Sequence, residues 1–311
     1  MKLGFSLPIA GAWATPENQV RLARQAETLG YHSLWTLQRL LYALEPKTVY
    51  PPVPGPRWPP FMERVSDPIV TLAYVAAHTS RIRLGVSVLV MPYFAPIVLA
   101  KQLATLDHVS GGRLDVGLGI GWAEDEYDAV GVPFRQRGRR GEEFIRCLKT
   151  IWTEEVVQFD GEFYRVPRSL VEPKPLQAPH PPILVGGYGS AAVGRAARLG
   201  DGFTGGNVPL DQVAPLIAEL RIAAEAAGRD PARLRVVCRG TYRVHDTPQG
   251  SGRRPLFGTL DEIREDISRY AEVGLTELFL EANIDAGGAF GDEDGLLERT
   301  LTVMTALAPS R

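Results

Sequence analysis

The first candidate for binding chemistry is a glycine-rich turn within ILVGGYGSAAVGRAARLG, in the second half of the chain. An apolar run ends there and a helical pattern begins near Ala191. Freed backbone N–H groups, the helix N-terminus and a serine hydroxyl can together bind an anion. The turn is not a P-loop, since no Gly-Lys-Ser/Thr follows, and a plain connection between strand and helix is the alternative. We expect phosphate to be bound by Gly186, Gly187, Tyr188, Gly189 and Ser190.

The second candidate is the strand end GLGIGW, in which glycine alternates with apolar residues before Trp122. Because Gly117, Gly119 and Gly121 have no side chains, one face of this strand is open to close approach by another molecule. The motif lacks the third glycine and the helix placement of a dinucleotide-binding fingerprint, which disfavours a Rossmann interpretation. We therefore expect a planar cofactor against this strand end.

The elements that position these stretches alternate between strand and helix. Strands are predicted at 2–7, 33–37, 82–91, 114–119, 183–186, 201–204, 234–244 and 277–280, with helices between them, one of them at about 67–79, and a last helix at 292–307. No composition break divides the chain, so we predict one α/β domain over 1–311, a single (β/α)8 TIM barrel. A doubly wound open sheet is the alternative. Active sites of such barrels lie at the C-terminal ends of the strands, where both glycine-rich stretches occur.

A Pro-rich insertion loop at about 42–66 follows the second strand and is too long for a simple connection. Long loops at a barrel mouth often close over ligands, so we predict that Trp58 and Phe61 form a substrate lid. The basic run at 135–140 is interpreted as a solvated face or subunit contact, with binding of a cofactor tail less favoured. The acidic residues within 124–128 are interpreted as capping and solvating a helical turn.

Composition excludes several classes of protein. With 311 residues, 45% hydrophobic and 23% charged, the chain can bury a sizeable core, and a net charge of −2 gives no basic footprint for nucleic acid. The two cysteines and five histidines show no metal-ligand spacing, so no metal site is expected. No apolar run reaches the roughly 20 residues that cross a bilayer, and no signal-peptide pattern precedes the first strand. We expect a soluble, cytoplasmic protein that does not bind membranes.

Several motifs resemble the bacterial luciferase-like monooxygenase family. They are the SRIRLG entry to the third strand, the following helix PIVLAKQLATLD, the turn SGGR, the strand end GLGIGW and a downstream Glu-Tyr pair. The similarity extends to GFSLP at the start, to the turn at 186–190 and to FGTLDEIREDISRYAEVGLTEL. The resemblance implies a TIM barrel that uses FMN or the deazaflavin coenzyme F420, and a homodimer.

The resemblance also implies roles for particular residues. In F420-binding members the third strand carries a bulge with a non-proline cis peptide behind the deazaflavin ring, and Ser87 and Val88 fill that position. Gly119 and Gly121 would then flank the ring beside Trp122, while the turn at 186–190 would hold the phosphate. The ring supplies the redox chemistry, and the protein positions it against the substrate.

The end of the second strand departs from the family pattern. Many F420-dependent relatives have Trp-x-x-Asp-His there, with the histidine assigned to proton transfer or substrate contact, whereas LWTLQRL places Gln38 and Arg39 at those positions. Glutamine cannot exchange a proton and arginine stays charged, which disfavours a sugar-phosphate dehydrogenase. We assign Gln38 and Arg39 as catalytic candidates. Arg39 would pair with an anionic substrate or polarise a carbonyl, and a surface arginine is the alternative.

These observations predict an F420-dependent oxidoreductase that transfers a hydride between the coenzyme and a small organic substrate. One alternative keeps the fold but uses reduced FMN and O2 as a two-component monooxygenase, with a separate reductase as partner. Another is a non-catalytic cofactor-binding barrel. A hydrolytic or aldolase barrel is disfavoured, because neither a metal-ligand cluster nor a Schiff-base lysine is evident at a strand end.

Overall fold

The structure is a computed structural model that describes residues 1–50, 55–283 and 295–309. Its strands are β1 (Lys2–Ser6), β2 (Ser33–Thr36), β3 (Arg83–Val90), β4 (Leu114–Gly119), β5 (Val157–Asp160), β6 (Arg165–Ser169), β7 (Ile183–Gly186), β8 (Gly202–Gly206), β9 (Arg235–Thr241), β10 (Arg243–Val244), β11 (Phe257–Gly258) and β12 (Glu277–Glu281). Eight of them form a closed parallel barrel in the order β1-β12-β9-β8-β7-β4-β3-β2. The predicted (β/α)8 TIM barrel is confirmed, and the open sheet is excluded.

Helices surround the barrel, and the ends of α1 show how local signals fix a helix. They are α1 (Pro16–Leu29), α2 (Pro68–Ala76), α3 (Pro96–Ser110), α4 (Glu124–Val130), α5 (Arg137–Thr153), α6 (Ser190–Leu199), α7 (Leu210–Ala226), α8 (Leu260–Glu272) and α9 (Leu296–Ala306). At the start of α1, Thr15 Oγ1 accepts a hydrogen bond from the Asn18 N–H (3.2 Å), and Pro16 occupies the first turn. Gly30 ends the helix with a φ of 86°, which favours glycine.

A buried ion network fills the N-terminal end of the barrel. Asp115 on β4 accepts hydrogen bonds from Arg83 of β3 (2.8 Å) and Arg235 of β9 (2.7 Å). Arg235 also donates to Glu277 of β12 (2.9 Å), whose other oxygen accepts from the Trp35 indole (2.9 Å). Farther up, Trp35 stacks on Phe279 with ring centroids 5.1 Å apart. Side chains therefore fill the N-terminal part of the barrel, as is usual in this fold.

Three features differ from the sequence-based expectations. An antiparallel hairpin, β5–β6, lies between α5 and β7; its short strands are largely exposed, so no apolar run marks them. The helix predicted at 67–79 ends at Ala76. The last helix begins at Leu296, and the predicted start at 292 lies outside the described residues. Among the helices described, none combines the length and apolar character needed to cross a membrane.

Candidate active site

A cavity of about 520 Å³ opens at the C-terminal end of the barrel, between the ends of β2, β3, β4, β7 and β8. Many residues predicted for the site from sequence line this one cavity: Gln38, Arg39, Phe61, Ser87, Val88, Gly119, Gly121, Trp122, Gly186, Gly187 and Tyr188. Gly189, Ser190 and Trp58 are not among its lining residues. Residues far apart in sequence thus meet at the end of the barrel where ligands bind in this fold.

The floor of the cavity is shaped by a bulge in β3. Pairing with β4 shifts register between Val86 and Leu89, and the Ser87–Val88 peptide bond is cis, as the resemblance implied. A Cβ on Gly119 would lie 2.5 Å from one Val88 methyl, and a Cβ on Gly186 would lie 2.6 Å from the other. The glycines therefore accommodate the bulged strand. Both glycines also line the cavity, and the interpretation that missing side chains make room for a bound molecule stays a prediction.

One wall of the cavity is formed by the two residues assigned as catalytic. Gln38 is buried, and its Oε1 accepts a hydrogen bond from the Val90 N–H (2.7 Å). This contact fixes the end of β3 and orients the amide. Because an amide has no proton to exchange at neutral pH, the geometry gives Gln38 a positioning function.

Arg39 is buried among aromatic rings, so its interpretation as a surface arginine is wrong. Its guanidinium lies 4.7 Å from the ring centroid of Trp122 and 5.6 Å from that of Trp58. Nη2 donates to Glu126 Oε2 (2.9 Å), whereas Nη1 is buried without a hydrogen-bond partner in the described part of the chain. Since Arg39 lines the cavity, the unpaired Nη1 is a donor available to a ligand.

The acidic residues after β4 were interpreted as capping and solvating a helical turn, and for Glu126 that interpretation is wrong. Glu126 is fully buried and accepts hydrogen bonds from the Leu40 N–H (2.7 Å) and the Tyr93 hydroxyl (2.9 Å), in addition to Arg39. Burial and the neighbouring Glu126 charge raise the pKa of Tyr93, which stays protonated and donates. The Glu-Tyr pair in the motif of the family is the sequence signal that could have distinguished Glu126 from its solvated neighbours.

The opposite side of the cavity carries arginines that sequence analysis did not assign. The Nε atoms of Arg137, Arg195 and Arg239 are buried and have no hydrogen-bond partner among the described residues. All three line the cavity. Burial lowers the pKa of Arg195, and Glu142, whose carboxylate lies 3.7 Å away, opposes that shift. Arg137 belongs to the basic run predicted as a solvated face, and for this residue that prediction is wrong.

The predicted phosphate turn lies next to these arginines. Gly189 is the N-cap of α6 with a φ of 90°, and no side chain caps the helix. Ala191 and Ala192 in the first turn line the cavity, whereas Ser190 is exposed to solvent. The helix N-terminus and the buried Arg195 thus present positive charge to the same end of the cavity.

The Pro-rich loop contributes a wall of the cavity, and the lid role of Trp58 and Phe61 stays a prediction. Trp58 is only 1% exposed and lies behind Trp122, with ring centroids 5.0 Å apart. Phe61 reaches the cavity, and so does Tyr50, which sequence analysis missed. Burial raises the pKa of Tyr50, although the charges of Arg239 and Arg39 oppose the shift. Residues 51–54 of this loop lie outside the described structure.

The site offers no evident place for a metal ion. Across residues 1–50, 55–283 and 295–309, no group of three or more His, Cys, Asp or Glu side chains is arranged to hold one. The functional groups that the cavity does present are guanidinium N–H donors, aromatic rings and backbone N–H groups. Such a lining suits an organic ligand with a planar part and an anionic part.

Sequence comparison identifies relatives with and without a described activity. An uncharacterized protein of Mycobacterium tuberculosis is 37% identical over 234 residues, which is 72% of this chain and 78% of that protein. An FMNH2-dependent dimethylsulfone monooxygenase of Pseudomonas putida is 40% identical over 164 residues. That match covers 51% of this chain and 45% of the enzyme.

Solved structures extend the similarity over the whole fold. The monooxygenase RslO1 from Streptomyces bottropensis has a TM-score of 0.78 and 25% identity, with 98% of both chains covered. An F420-dependent secondary alcohol dehydrogenase, in complex with an F420–acetone adduct, has a TM-score of 0.76 and 15% identity, a likeness of fold alone. The model of the luciferase-like monooxygenase family matches residues 1–253. This chain is therefore a member of the luciferase-like monooxygenase family.

Proposed function

We propose that this protein is an oxidoreductase that binds coenzyme F420 and transfers a hydride between it and a small organic substrate. The observation that carries the proposal is the set of four arginines on one cavity, Arg39, Arg137, Arg195 and Arg239, each with a buried guanidinium nitrogen that makes no hydrogen bond to a described residue. Buried donors without partners cost free energy unless a ligand satisfies them.

The charge of this cavity favours the deazaflavin coenzyme over FMN. Coenzyme F420 carries an acidic ring hydroxyl, a phosphodiester and tail carboxylates, whereas FMN carries one phosphate. Glu126 neutralises Arg39 in part and Glu142 does the same for Arg195, but Arg239 forms no ion pair with any described residue. A more anionic cofactor therefore gains more from this lining.

The fold supplies places for both parts of such a cofactor. Ser87, Val88, Gly119, Gly121 and Trp122 would contact the ring. The turn that contains Gly186, Gly187, Tyr188, Gly189 and Ser190 would hold the phosphate, together with Arg195. When bound, the deazaflavin supplies a hydride donor or acceptor at C5. The role of this half of the cavity is to hold the ring and exclude water from it.

The part of the cavity that contains Arg39 would contact the substrate. Arg39 Nη1 can donate to an electronegative atom of the substrate, and stacking between Trp58 and Trp122 holds the guanidinium in place. Tyr50 keeps its proton at neutral pH because burial raises its pKa, so its hydroxyl can donate a hydrogen bond into the cavity. Gln38 positions β3 and takes no part in proton transfer. Phe61 and the rest of the loop would limit access of water.

A second candidate is an FMN-dependent two-component monooxygenase. It is supported by the likeness to the dimethylsulfone monooxygenase, whose name specifies FMNH2. Such an enzyme depends on reduced flavin, which a separate reductase would have to deliver. The two candidates share the cavity and differ in cofactor charge and in reaction with O2.

Titration of the purified protein with F420 and, separately, with FMN tests the proposal through quenching of tryptophan fluorescence. Trp122 lines the cavity, so a Trp122→Phe variant should lose most of the quenching while its affinity changes little. We expect F420 to bind at least about tenfold more tightly than FMN, a difference of about 1.4 kcal/mol. Selective binding of FMN would favour the second candidate. Binding of neither would contradict both.

Arg195→Met should weaken binding of F420 by about 10- to 100-fold, because a charge-assisted hydrogen bond to phosphate contributes about 1.5–3 kcal/mol. Arg198 on the same helix is a matched control. Its side chain is 49% exposed and contacts Glu142, and Arg198 does not line the cavity. Arg198→Met should bind F420 as the wild type does. Equal affinities for the two variants would remove Arg195 from the phosphate site.

We also propose that the protein is a homodimer formed through α2 and α3. Val70 and Tyr74 on α2 are 69% and 40% exposed, and Val98 on the adjoining α3 is 51% exposed. Apolar side chains grouped on neighbouring helices favour burial against a second copy. Sedimentation velocity should give a dimer for the wild type and a monomer for Val70→Asp. A monomeric wild type at micromolar concentration would contradict the proposal.

A further inference from the structure

A second cavity, of about 730 Å³, lies beside the first on the other side of Tyr188. Its walls come from the ends of β8 and β9, from α7 and from residues 254–256. Four residues line both cavities: Gly187, Tyr188, Gly206 and Arg239. The turn proposed to hold the cofactor phosphate borders this space at Gly187, Tyr188 and Gly189, but the cofactor proposal assigns no ligand to the rest of its lining.

The lining of the second cavity is predominantly apolar. Its apolar side chains include Val193, Phe203, Val208, Leu216, Leu256 and Tyr270. The volume falls in the range of about 300–1,000 Å³ typical of sites for small organic molecules. An apolar lining of this size favours a ligand with an aromatic or branched hydrocarbon body.

Two arginines contribute positive charge to the lining of the second cavity, and one of them, Arg239, also lines the first. Arg239 is half-buried, and its side chain makes neither a hydrogen bond nor an ion pair with any described residue. Arg254 contributes a second guanidinium, which lies 4.6 Å from the ring centroid of Phe257. The carboxylate in the lining, Glu219, lies seven residues beyond Gln212 on α7, hence about 10 Å farther from the strand ends. The second cavity therefore combines two cationic groups with an apolar body.

We propose that the second cavity binds an organic anion with an apolar body, its acid group lying against Arg239 and Arg254. The class comprises aromatic or branched carboxylates, sulfonates and phosphate esters. The carboxylate of Glu219, at the far end, disfavours molecules with two acid groups. This site shares Arg239 with the first cavity, but the residues that form its apolar body line the second cavity alone.

Anilinonaphthalene sulfonate, a fluorescent aromatic anion, tests the proposal directly by titration of the full-length protein. Leu216→Asp places a carboxylate on the cavity wall and should weaken binding by about tenfold or more. Arg254→Ala removes the exposed cation and should weaken binding by about tenfold. Arg233→Ala is the control, because that side chain is 88% exposed and lies outside the cavity. Far-UV circular dichroism checks the fold of each variant, and Arg254→Ala provides the test if Leu216→Asp does not fold.

Two further binding experiments distinguish a ligand in the second cavity from a ligand in the first. Phenylnaphthylamine, a neutral analogue of the probe, should bind more weakly than the sulfonate to the wild type and equally to wild type and Arg254→Ala. Saturating F420 or FMN should leave the sulfonate bound. Sulfonate binding that is unchanged in both Leu216→Asp and Arg254→Ala, or that is abolished by either cofactor, would overturn the proposal.

Discussion

Replacing Asp115 with asparagine should lower the free energy of unfolding by about 3–5 kcal/mol, the cost of leaving buried charges without a partner. Asp115 is fully buried and accepts hydrogen bonds from both Arg83 and Arg235. Only Arg235 would keep a second carboxylate, that of Glu277. Urea denaturation at pH 7, followed by far-UV circular dichroism, measures the change.

Asp115 should also make the free energy of unfolding depend on pH. Burial by itself would raise the pKa of Asp115, but hydrogen bonds and charges from Arg83 and Arg235 outweigh burial and hold it below its ordinary value of 3.8. A carboxyl group whose pKa is lowered on folding stabilises the protein above its unfolded pKa, and this contribution is lost as pH falls through the folded value. The advantage of wild type over Asp115→Asn should therefore be constant above about pH 5 and shrink below about pH 4.

An exposed ion pair provides the comparison. Asp160 contacts Arg165 at 3.0 Å, and both side chains are more than half exposed. Asp160→Asn should change the free energy of unfolding by less than about 1 kcal/mol, because water screens such pairs. If Asp115→Asn lowered the free energy of unfolding no more than Asp160→Asn does, the stability of the barrel would not depend on the ion network at its N-terminal end.

The barrel was predictable because its signals are local. Each of the eight barrel strands is a short apolar run, and helix ends such as Thr15 with Pro16, or Gly30, are marked by residues that satisfy the backbone where the helix begins or stops. The hairpin β5–β6 escaped prediction for the converse reason. Its strands pair with each other and lie outside the barrel, so they carry no continuous apolar run.

The site was predictable in position but not in its charges. The glycine-rich strand ends and the turn before α6 marked the end of the barrel at which the cavity lies. Arg195 looked like any polar residue of an amphipathic helix, because burial of one side chain is decided by packing against distant elements. Glu126 and Arg39 are likewise 87 residues apart in sequence, and no local pattern links them.

Replacing Glu126 with glutamine should lower the free energy of unfolding by about 3–5 kcal/mol, because it leaves the buried Arg39 charge without a counterion. The Arg39 side chain is 6% exposed and that of Glu126 is 0% exposed. Glutamine keeps one acceptor oxygen for the Leu40 N–H or the Tyr93 hydroxyl, so most of the loss reflects the charge. Unfolding should be followed by far-UV circular dichroism and not by tryptophan fluorescence. Trp58 and Trp122 lie against Arg39, so the substitution changes their emission even in the folded protein.

A double variant separates stability from function at this pair. Arg39→Met in the Glu126→Gln background removes the uncompensated charge and keeps an unbranched side chain between the two tryptophans, so stability should return to within about 1 kcal/mol of wild type. Binding of a substrate should not recover, because the Arg39 Nη1 donor is gone. Recovery of stability without recovery of binding would mean that the ion pair is retained to hold one guanidinium nitrogen toward the cavity. A double variant as unstable as Glu126→Gln would instead show that the hydrogen bonds of Glu126, and not the charge of Arg39, dominate the folding energy here.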